Sequence, residues 1–406
     1  MAKRIEKYDL ELIASEFEKI KKSKNGHINF DAFRFEDFIT ILQSAIDFNK
    51  YFPDSEKRRI LNNSIFNCGK RGTITGKLLL KEINRNEGIF LNKPKTKYKL
   101  VTSISIKYSE SLKSINHNKS IINFYPELPT KYDQNAILEK LRFSNEIIFP
   151  RGYTIVVIST EGRTTHEAAE NAISTFELIR ALWNFTNNQF TYRRKITGKR
   201  LPVNSILLGP IHTLHTLDGK LATDDHWYEI LYYDEIKVID LNKNFNVIKS
   251  EEKRMRSKLN TIPYGEDLKK IFLRYNNALD IIDYSNSIVN LWSILEYLTN
   301  TDKGYSQTIS RTSFLYGDYK IVQHFLEALR DTRNKIVHSS ERDTREEALV
   351  YQLKTLVENL LSFSLFNPFK FSSREELGNF LDLPKDNSAL KKKLKIIKSG
   401  LKYKKG

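Results

Sequence analysis

The spacing of apolar residues changes twice along the chain, which divides it into a helical start, a strand-rich middle and a helical end. Residues 1 to about 90 are rich in charge and mostly follow helical spacing. Their clearest apolar cluster consists of Phe33, Phe35, Phe38 and Ile39. This part of the chain is therefore predicted to be mostly helical.

From about residue 95 the apolar side chains recur at every second position, which is the pattern of a half-buried strand. They are Tyr98, Leu100, Thr102, Ile104, Ile106 and Tyr108, with lysines and serines between them. Further strands are predicted at residues 120–125, 153–159 and 230–239. Between the strands, Thr164 and Glu167 form a capping box that predicts the start of a helix. The predicted buried face of that helix carries Ala168, Ala172, Phe176, Ile179 and Trp183.

After Pro263 the chain is predicted to be helical throughout. One apolar stripe runs from Leu268 to Leu279 and a second from Ile288 to Leu298. A short helix is predicted around residues 309–315, and a longer one from about residue 319. A capping box at residues 344–347 then predicts a helix whose stripe is Leu349, Leu353, Leu356 and Leu360, and Pro368 ends it. Short connections between amphipathic helices indicate an antiparallel bundle.

These patterns predict an α+β protein, with an N-terminal mixed α/β domain followed by a C-terminal antiparallel helical bundle. The predicted boundaries are 1–262 for the α+β domain, 263–370 for the bundle and 371–406 for a basic tail. From Lys385 onward the tail holds nine lysines against one aspartate. The order of the strands is left open.

The net charge of the chain indicates what kind of partner the protein binds. Lys and Arg outnumber Asp and Glu by 66 to 49, which gives a net charge of +17. Such an excess favours a polyanionic partner, although genome composition alone also produces lysine-rich surfaces. Cys68 is the only cysteine, so no disulfide framework and no cysteine zinc site is expected. The sequence shows no apolar run long enough to span a bilayer and starts with charged residues, so a cytoplasmic protein without a membrane partner is expected.

Three other motifs are weaker than they first look. Residues 72–77 resemble a phosphate loop, but the glycine spacing is one residue short and Leu78 replaces the required Ser or Thr. In the segment from His166, Glu170 stands where a zinc protease motif needs its second histidine. His212 and His215 lack further ligands at convincing spacing and are interpreted as satisfied loop histidines. We expect neither a metal nor a cofactor.

The strongest candidate for chemistry is the pair Arg333 and His338. The buried stripe Val322, Leu326 and Leu329 continues in its rhythm to Arg333. A guanidinium at such a position is costly unless it is paired or lines a polar groove. Five residues along a regular helix turn by about 140°, so Arg333 and His338 do not share a face. The two side chains would converge if the helix distorted before Ser339, or if two copies of the motif met in a dimer.

The surrounding sequence resembles the HEPN superfamily of four-helix-bundle domains, and its Apea-like branch most closely. The residues that carry the resemblance are Trp292–Glu296, Arg311 with Phe314 and Leu315, and Arg330–His338. In that branch a Trp-x-x-Leu-Glu helix precedes an Arg-Asn/Ser-x-x-Val-His segment. A polar residue directly after the motif arginine, here Asn334, is typical of active members. The resemblance covers residues 264–368, about a quarter of the chain.

The resemblance implies a metal-independent endoribonuclease that acts as a dimer through the helical bundle. We expect the helix that carries Arg333 and the helix of the Leu349–Leu360 stripe to form the dimer interface. His338 would serve as general base or acid for attack by the RNA 2′-hydroxyl. Arg333 would hold the phosphate, Asn334 would orient the phosphate or the histidine, and Glu296 would fix Arg333 as a buried ion pair. Lysines at the site and in the tail would contact the RNA backbone, namely Lys335, Lys391, Lys392 and Lys393.

Two other hypotheses remain open on the sequence. In the first, the bundle would be a non-catalytic module that binds RNA or a nucleotide. In the second, the bundle would only mediate dimerisation of an interaction protein. The resemblance also implies an effector of prokaryotic anti-phage defence, abortive infection or a toxin–antitoxin system. A phage-derived trigger or an antitoxin would then be a further partner, and the N-terminal domain would sense the trigger or restrain the nuclease. The lysine-rich tail has a plain alternative, which is a solvated segment of no consequence.

Overall fold

A computed structural model describes most of the chain as helices and strands. It covers residues 2–24, 27–48, 53–117, 120–132, 149–189, 200–229, 238–241, 244–301, 304–339 and 345–404. These residues form thirteen helices and ten strands, with the sheet in the N-terminal part and helices alone in the C-terminal part. The protein is therefore a mixed α/β protein, as predicted at this level.

The described residues between Ala2 and Leu91 form a helical unit around a hydrophobic cluster of their own. Its elements are β1 Lys3–Arg4, α1 Leu10–Ile20, β2 Lys21–Lys24, β3 His27–Phe30, α2 Ala32–Ala45, β4 Ile46–Asp47, α3 Asp54–Lys70 and α4 Gly76–Leu91. On α2, Phe35 and Ile39 are buried, whereas Phe33 is 89% exposed. Two residues turn a helix by about 200°, so Phe33 and Phe35 face opposite sides and Phe33 does not belong to the core cluster.

A six-stranded sheet follows, in which every pair of neighbouring strands is antiparallel. The strands are β5 Thr96–Ile104, β6 Ser114–His117, β7 Ser120–Tyr125, β8 Thr154–Gly162, β9 Ile211–His215 and β10 Leu221–Tyr228, in the order β10-β9-β5-β8-β7-β6. The predicted strand at residues 230–239 falls mostly outside the described residues; within them, Ile239 forms an isolated bridge with Ile106. Strands β6, β9 and β10 escaped prediction because they are short or polar.

Strand β5 is buried on both faces over its second half, which differs from the predicted half-buried strand. Leu100 and Ile104 face the main core under the sheet, whereas Val101 faces a smaller cluster with Tyr132 on the opposite side. The two serine and threonine side chains between them, Thr102 and Ser103, are also buried, because β5 is an inner strand covered from both sides. The alternation of apolar and polar residues therefore predicted the strand correctly, but it did not predict that both faces of the strand are buried.

Helix α5, Thr165–Asn188, joins the sheet to the helical bundle. The side chain of Thr164 accepts a hydrogen bond from the amide of Glu167, which confirms the predicted cap. The predicted apolar face is buried against the sheet: Ala168, Ala172, Phe176, Ile179 and Trp183. A second face of the same helix, with Leu178, Leu182 and Phe185, belongs to the core of the bundle.

The remaining helices form the bundle, and all but the last of them contribute to one large hydrophobic core. They are α6 Phe245–Thr261, α7 Gly265–Asp280, α8 Tyr284–Leu298, α9 Tyr305–Ser313, α10 Tyr319–Ser339, α11 Glu346–Phe366, α12 Arg374–Leu381 and α13 Asn387–Tyr403. Helix α9 starts earlier than predicted, and Thr344 of the predicted capping box lies outside the described residues. Helix α11 ends at Asn367, whose φ of 44° places it in the left-handed region.

Part of the predicted tail belongs to this core. Phe371, Leu377 and Leu381, on and just before α12, are at most 6% exposed and pack with the bundle residues. The core therefore continues past residue 370, because apolar side chains of α12 cover the end of the bundle near α9. Within the described residues, no helix has both the length and the apolar content needed to cross a membrane.

A buried polar network lies where α5 meets the bundle. Arg180 of α5 is 2% exposed and forms an ion pair with Asp280 of α7, with 2.6 Å between the nitrogen and the oxygen. Lys354 of α11 is 2% exposed, pairs with Glu358 at 2.9 Å and donates to the backbone carbonyl of Asn188 at 2.8 Å. These bonds fix the rotation and height of α5 against α7 and α11, because buried charges need their partners in place.

Candidate functional site

The candidate site lies on α10, which packs against α8 and α9. Leu326 and Leu329 are fully buried, and Val322 and Ile336 are partly buried against the bundle core. Arg333 follows on the same stripe and is half-buried. The stripe therefore runs as the sequence predicts, and the guanidinium lies where the stripe leaves the core at the edge of the bundle.

The guanidinium of Arg333 is held by two oxygen atoms. Its Nη1 donates to the hydroxyl of Tyr305 at 2.9 Å and to Oδ1 of Asn334 at 3.1 Å. Its Cζ lies 5.6 Å from the centre of the Tyr305 ring, so the cation also faces the aromatic ring. Both described hydrogen bonds leave from Nη1, and within the described part of the chain Nη2 therefore keeps its two N–H groups for another acceptor.

Tyr305 is a contact of Arg333 that the sequence did not point to. It is the first residue of α9, 38% exposed, and its ring lies 6.3 Å from the buried ring of Trp292. The Tyr305 ring thus lies between the guanidinium of Arg333 and the ring of Trp292. A single sequence contains no indication of this contact, because Tyr305 and Arg333 lie 28 residues apart on different helices.

Glu296 does not form the expected ion pair with Arg333. Its Oε1 accepts a hydrogen bond from the indole nitrogen of Trp292 at 2.9 Å, one turn earlier on α8. Trp292 then contacts Tyr305, which in turn holds Arg333. The carboxylate is therefore bonded to Trp292 and not to Arg333, and the expectation of a direct ion pair was wrong. Geometry explains the difference, since the indole N–H lies within reach of Glu296 at i−4.

His338 lies on the outer side of α10 and is exposed, as is Lys335. Helix α10 continues through Ser339, so no distortion before that residue turns His338 toward Arg333. The described residues contain no hydrogen bond between the two side chains. A distortion of the helix therefore does not bring Arg333 and His338 together. Of the two arrangements that would place both side chains in one site, the dimer remains.

Arg333 and the start of α9 together form a corner suited to an anion. Gly304 is the N-cap of α9 and has no side chain that could cap the helix. The first N–H groups of a helix have no partner within the helix and attract phosphate or carboxylate groups. Arg333 contacts Tyr305, the first residue of this helix, through the tyrosine hydroxyl, so its positive charge and the start of α9 both favour an anion at this edge of the bundle.

Arg311, another residue of the resemblance, has a structural role. It is 6% exposed, donates to the carbonyl oxygens of Thr299 and Asn300, and forms a two-bond pair with Asp382 at 2.8 and 2.5 Å. Gly378 lies directly against it, and a Cβ there would come within 2.9 Å of Arg311 Nη1. Arg311 thus ties α9 to the end of α12.

The two strand histidines are satisfied, although they lie on β9 and not in a loop as expected. His212 Nδ1 is 2.7 Å from the hydroxyl of Thr102, and burial lowers the pKa of His212 to about 4. His215 is hydrogen-bonded to Thr213 and to the carbonyl of Gly219, and burial also lowers its pKa. In the described segments no three His, Cys, Asp or Glu side chains come together in a way that suits a metal ion.

The tail lysines Lys391, Lys392 and Lys393 lie on α13 and are exposed. They belong to a different surface element from Arg333, Asn334 and Lys335, which all lie on α10. The chain matches no protein-family model, no curated protein and no solved structure. Its function is therefore inferred from the geometry of these residues and from the resemblance of residues 264–368.

Proposed function

We propose that this protein is a metal-independent endoribonuclease of the HEPN type, with its site on α10. The observation that carries the proposal is the arginine of the motif: Tyr305 and Asn334 hold its Nη1, and among the described residues its Nη2 has no acceptor. A guanidinium kept in one orientation suits a phosphate, since the N–H groups of Nη2 can donate to phosphate oxygens. The exposed His338 on the same helix supplies the titratable group.

The proposed reaction is internal transfer at an RNA phosphate. His338 removes the proton of a 2′-hydroxyl, whose oxygen attacks the adjacent phosphorus, and the 5′-oxygen leaves with a proton from a second acid. The products are a 2′,3′-cyclic phosphate and a 5′-hydroxyl. Arg333 binds the phosphate and neutralises the charge that develops on it, while Asn334 and Tyr305 keep the guanidinium in place. Lys335 contacts the neighbouring backbone.

The proposed site is completed by a second copy of the chain. His338 and Arg333 point about 140° apart on one helix, so one copy does not hold both groups in one site, and we propose that a second copy supplies the other group. The leucine stripe of α11 was expected to take part in the interface. Leu349, Leu353, Leu356 and Leu360 are at most 8% exposed within one chain, so they are already used inside the bundle.

The outer face of α10 is the better dimer surface. Its exposed residues recur every three or four positions and include the small Ala328 near the middle and the apolar Ile321, which is 65% exposed. They are Ile321, His324, Ala328, Asp331, Lys335 and His338. Two helices can approach closely at a small residue, and His338 lies on the face that would meet the partner.

A non-catalytic RNA- or nucleotide-binding module is the second candidate. The observation in its favour is that Arg333 and His338 do not meet within one chain, so one copy offers a phosphate-binding corner without a base beside it. Under either candidate we propose a cytoplasmic effector of prokaryotic anti-phage defence or of a toxin–antitoxin system. The N-terminal part would then receive a phage-derived trigger or an antitoxin. This role rests on the resemblance alone.

One experiment separates the two candidates. The purified full-length protein is incubated with single-stranded RNA in EDTA, beside His338→Ala and the corresponding DNA. Cleavage of RNA alone, with 2′,3′-cyclic phosphate ends and with loss in His338→Ala, supports the nuclease. RNA binding without cleavage in the wild-type protein supports the binding module. Cleavage of DNA at a similar rate, or cleavage abolished by the chelator, contradicts the proposed chemistry, because DNA lacks the 2′-nucleophile.

A further inference from the structure

Helix α13 is a separate feature of the surface, because none of its 17 residues is buried. It begins at a regular cap, in which the carboxylate of Asp386 accepts a hydrogen bond from the amide of Ala389 at 2.8 Å. The helix continues to Tyr403 without an apolar contact to the bundle core. A helix of this length needs a stabilising partner for its apolar side chains, since isolated helices are marginal in water.

The apolar side chains of α13 form a single stripe. Leu390, Leu394, Ile397 and Leu401 follow one another by four, three and four positions. At about 100° per residue, all four lie within about 60° of arc. They are 36%, 50%, 49% and 60% exposed. An unpartnered apolar stripe of this length indicates a surface that is covered by another molecule.

Lysines border this stripe on both sides. Lys391, Lys398 and Lys402 lie about 80 to 120° from its first residue on one side, and Lys393 and Lys404 lie about 40 to 60° away on the other. The helix contains no aspartate or glutamate from Asn387 to Tyr403. The molecule that covers the stripe must therefore be negatively charged and must also offer an apolar surface.

Of the available occupants, an anionic lipid surface meets both requirements. A second α13 would place lysine against lysine along the whole seam, and like charges at this distance repel. RNA would pair with the lysines but leave the four apolar side chains in water. At a bilayer interface the stripe enters the acyl boundary while the lysines pair with anionic headgroups.

We propose that α13 docks this protein on membranes that contain anionic lipid, with the helix lying in the plane of the interface. The inference concerns a surface other than the α10 site and is independent of the proposed nuclease activity. It departs from the sequence-based expectations that the chain has no membrane partner and that Lys391, Lys392 and Lys393 bind RNA.

The start of α13 is fixed to the bundle, so docking would hold the bundle close to the lipid. Arg311 of α9 binds Asp382, four residues before the cap of α13. Lys385 donates to the hydroxyl of Ser313 at 2.8 Å and lies 5.2 Å from the centre of the Tyr319 ring. These contacts tie the segment before α13 to α9 and to the start of α10.

The test uses the full-length protein and sedimentation with lipid vesicles. One set of vesicles is phosphatidylcholine alone, and the other is an equimolar mixture of phosphatidylcholine and phosphatidylglycerol. The wild-type protein should bind the mixed vesicles alone, because neutral headgroups give the lysines nothing to pair with. The variant Leu394→Gln/Ile397→Gln should lower the apparent binding constant at least about tenfold, since two apolar side chains no longer enter the lipid.

Ile396 supplies the matched control. It is 71% exposed but lies about 120° from the stripe, so Ile396→Gln should stay within about twofold of the wild-type protein. Lys391→Glu/Lys398→Glu should also lose binding, because two attractive charges become repulsive. All variants keep the fold of the bundle, since none of these side chains is buried, and circular dichroism checks this.

Three results would overturn the proposal. Equal vesicle binding by the stripe variant and the wild-type protein would mean that the stripe does not enter lipid. RNA binding that is lost in Lys391→Glu/Lys398→Glu, without vesicle binding in the wild-type protein, would assign α13 to RNA. A dimer that becomes a monomer in the stripe variant, again without vesicle binding, would assign the stripe to a second copy.

Discussion

The guanidinium of Arg333 donates a hydrogen bond to the hydroxyl of Tyr305 at 2.9 Å and lies over the same ring, 5.6 Å from its centre. The tyrosine thus acts on the arginine twice, as an acceptor and as an aromatic face. Both interactions restrict the guanidinium to one orientation, and an oriented guanidinium binds phosphate with less loss of side-chain entropy. Tyr305 is therefore a positioning residue of the proposed site.

Tyr305→Phe should lower the rate of RNA cleavage by about tenfold, because the ring remains but Arg333 loses one of its two acceptors. Tyr305→Ala should lose more, since the aromatic face is removed as well. Initial rates on one RNA substrate measure the effect, with the thermal midpoint of each variant as a check on the fold. Tyr403→Phe is the matched control, since Tyr403 is 85% exposed on α13. An unchanged rate in Tyr305→Phe would remove Tyr305 from the site.

Arg333→Ala and His338→Ala should each abolish most of the cleavage, and the double variant should be no slower than the worse single one. The losses do not add because both groups act in the same step. Arg333→Lys should also be defective, since an ammonium is not planar and cannot both keep the contacts with Tyr305 and Asn334 and donate to a phosphate in the same orientation. If either alanine variant cleaves RNA at the wild-type rate, the α10 residues are not the catalytic site.

The protein should be a dimer at micromolar concentration, held by the outer face of α10. Ala328→Arg places a long charged side chain at the centre of that face and should produce an inactive monomer. Ser44→Arg makes the same kind of change on the exposed side of α2 and should leave the dimer intact. Sedimentation equilibrium measures the mass and the cleavage assay the activity. An active wild-type monomer would exclude a site shared between two copies.

Lys354→Met should lower the free energy of unfolding by about 3 to 5 kcal/mol, because Glu358 is left as a buried charge without its cation. Burial already raises the pKa of Glu358, and Lys354 opposes that rise. The double variant Lys354→Met/Glu358→Gln should recover much of the loss, since no charge remains and Tyr275 still has an acceptor. Urea unfolding of the two variants and the wild-type protein measures the difference. Equal values for the single and double variants would contradict an electrostatic role for the pair.

His212 should make the fold sensitive to acid. Its pKa falls from 6.5 to about 4 on folding, so the folded state resists protonation that the unfolded chain accepts. The stabilising contribution is complete above pH 6.5 and is lost as the pH falls toward 4. Between pH 6.5 and pH 4 the free energy of unfolding should therefore fall by roughly 2 to 3 kcal/mol less in His212→Gln than in the wild-type protein. Urea unfolding at several pH values measures this. His27→Gln, at an exposed strand position, should follow the wild-type curve.

Local pattern alone determined several elements of this protein. The cap at Thr164 and the apolar face of α5 follow from capping chemistry and from helical period, both of which act within a few residues. The same holds for the C-terminal helices and for the stripe of α10 that ends at Arg333. Such features are readable because each depends on neighbours in the sequence. The basic character of α13 was also visible in composition.

Only the tertiary structure decided which surfaces these elements use. Whether Phe33 is buried or exposed, and whether β5 is covered on one face or both, depends on neighbours far away in the chain. The same is true of the acceptor for Arg333, which is Tyr305 and not Glu296, and of the leucine stripe of α11, which is used within one chain. Several contacts are compatible with the sequence at each of these positions, and packing between distant parts of the chain selects one of them. The helical period shows which residues share a face, but it does not show what that face contacts.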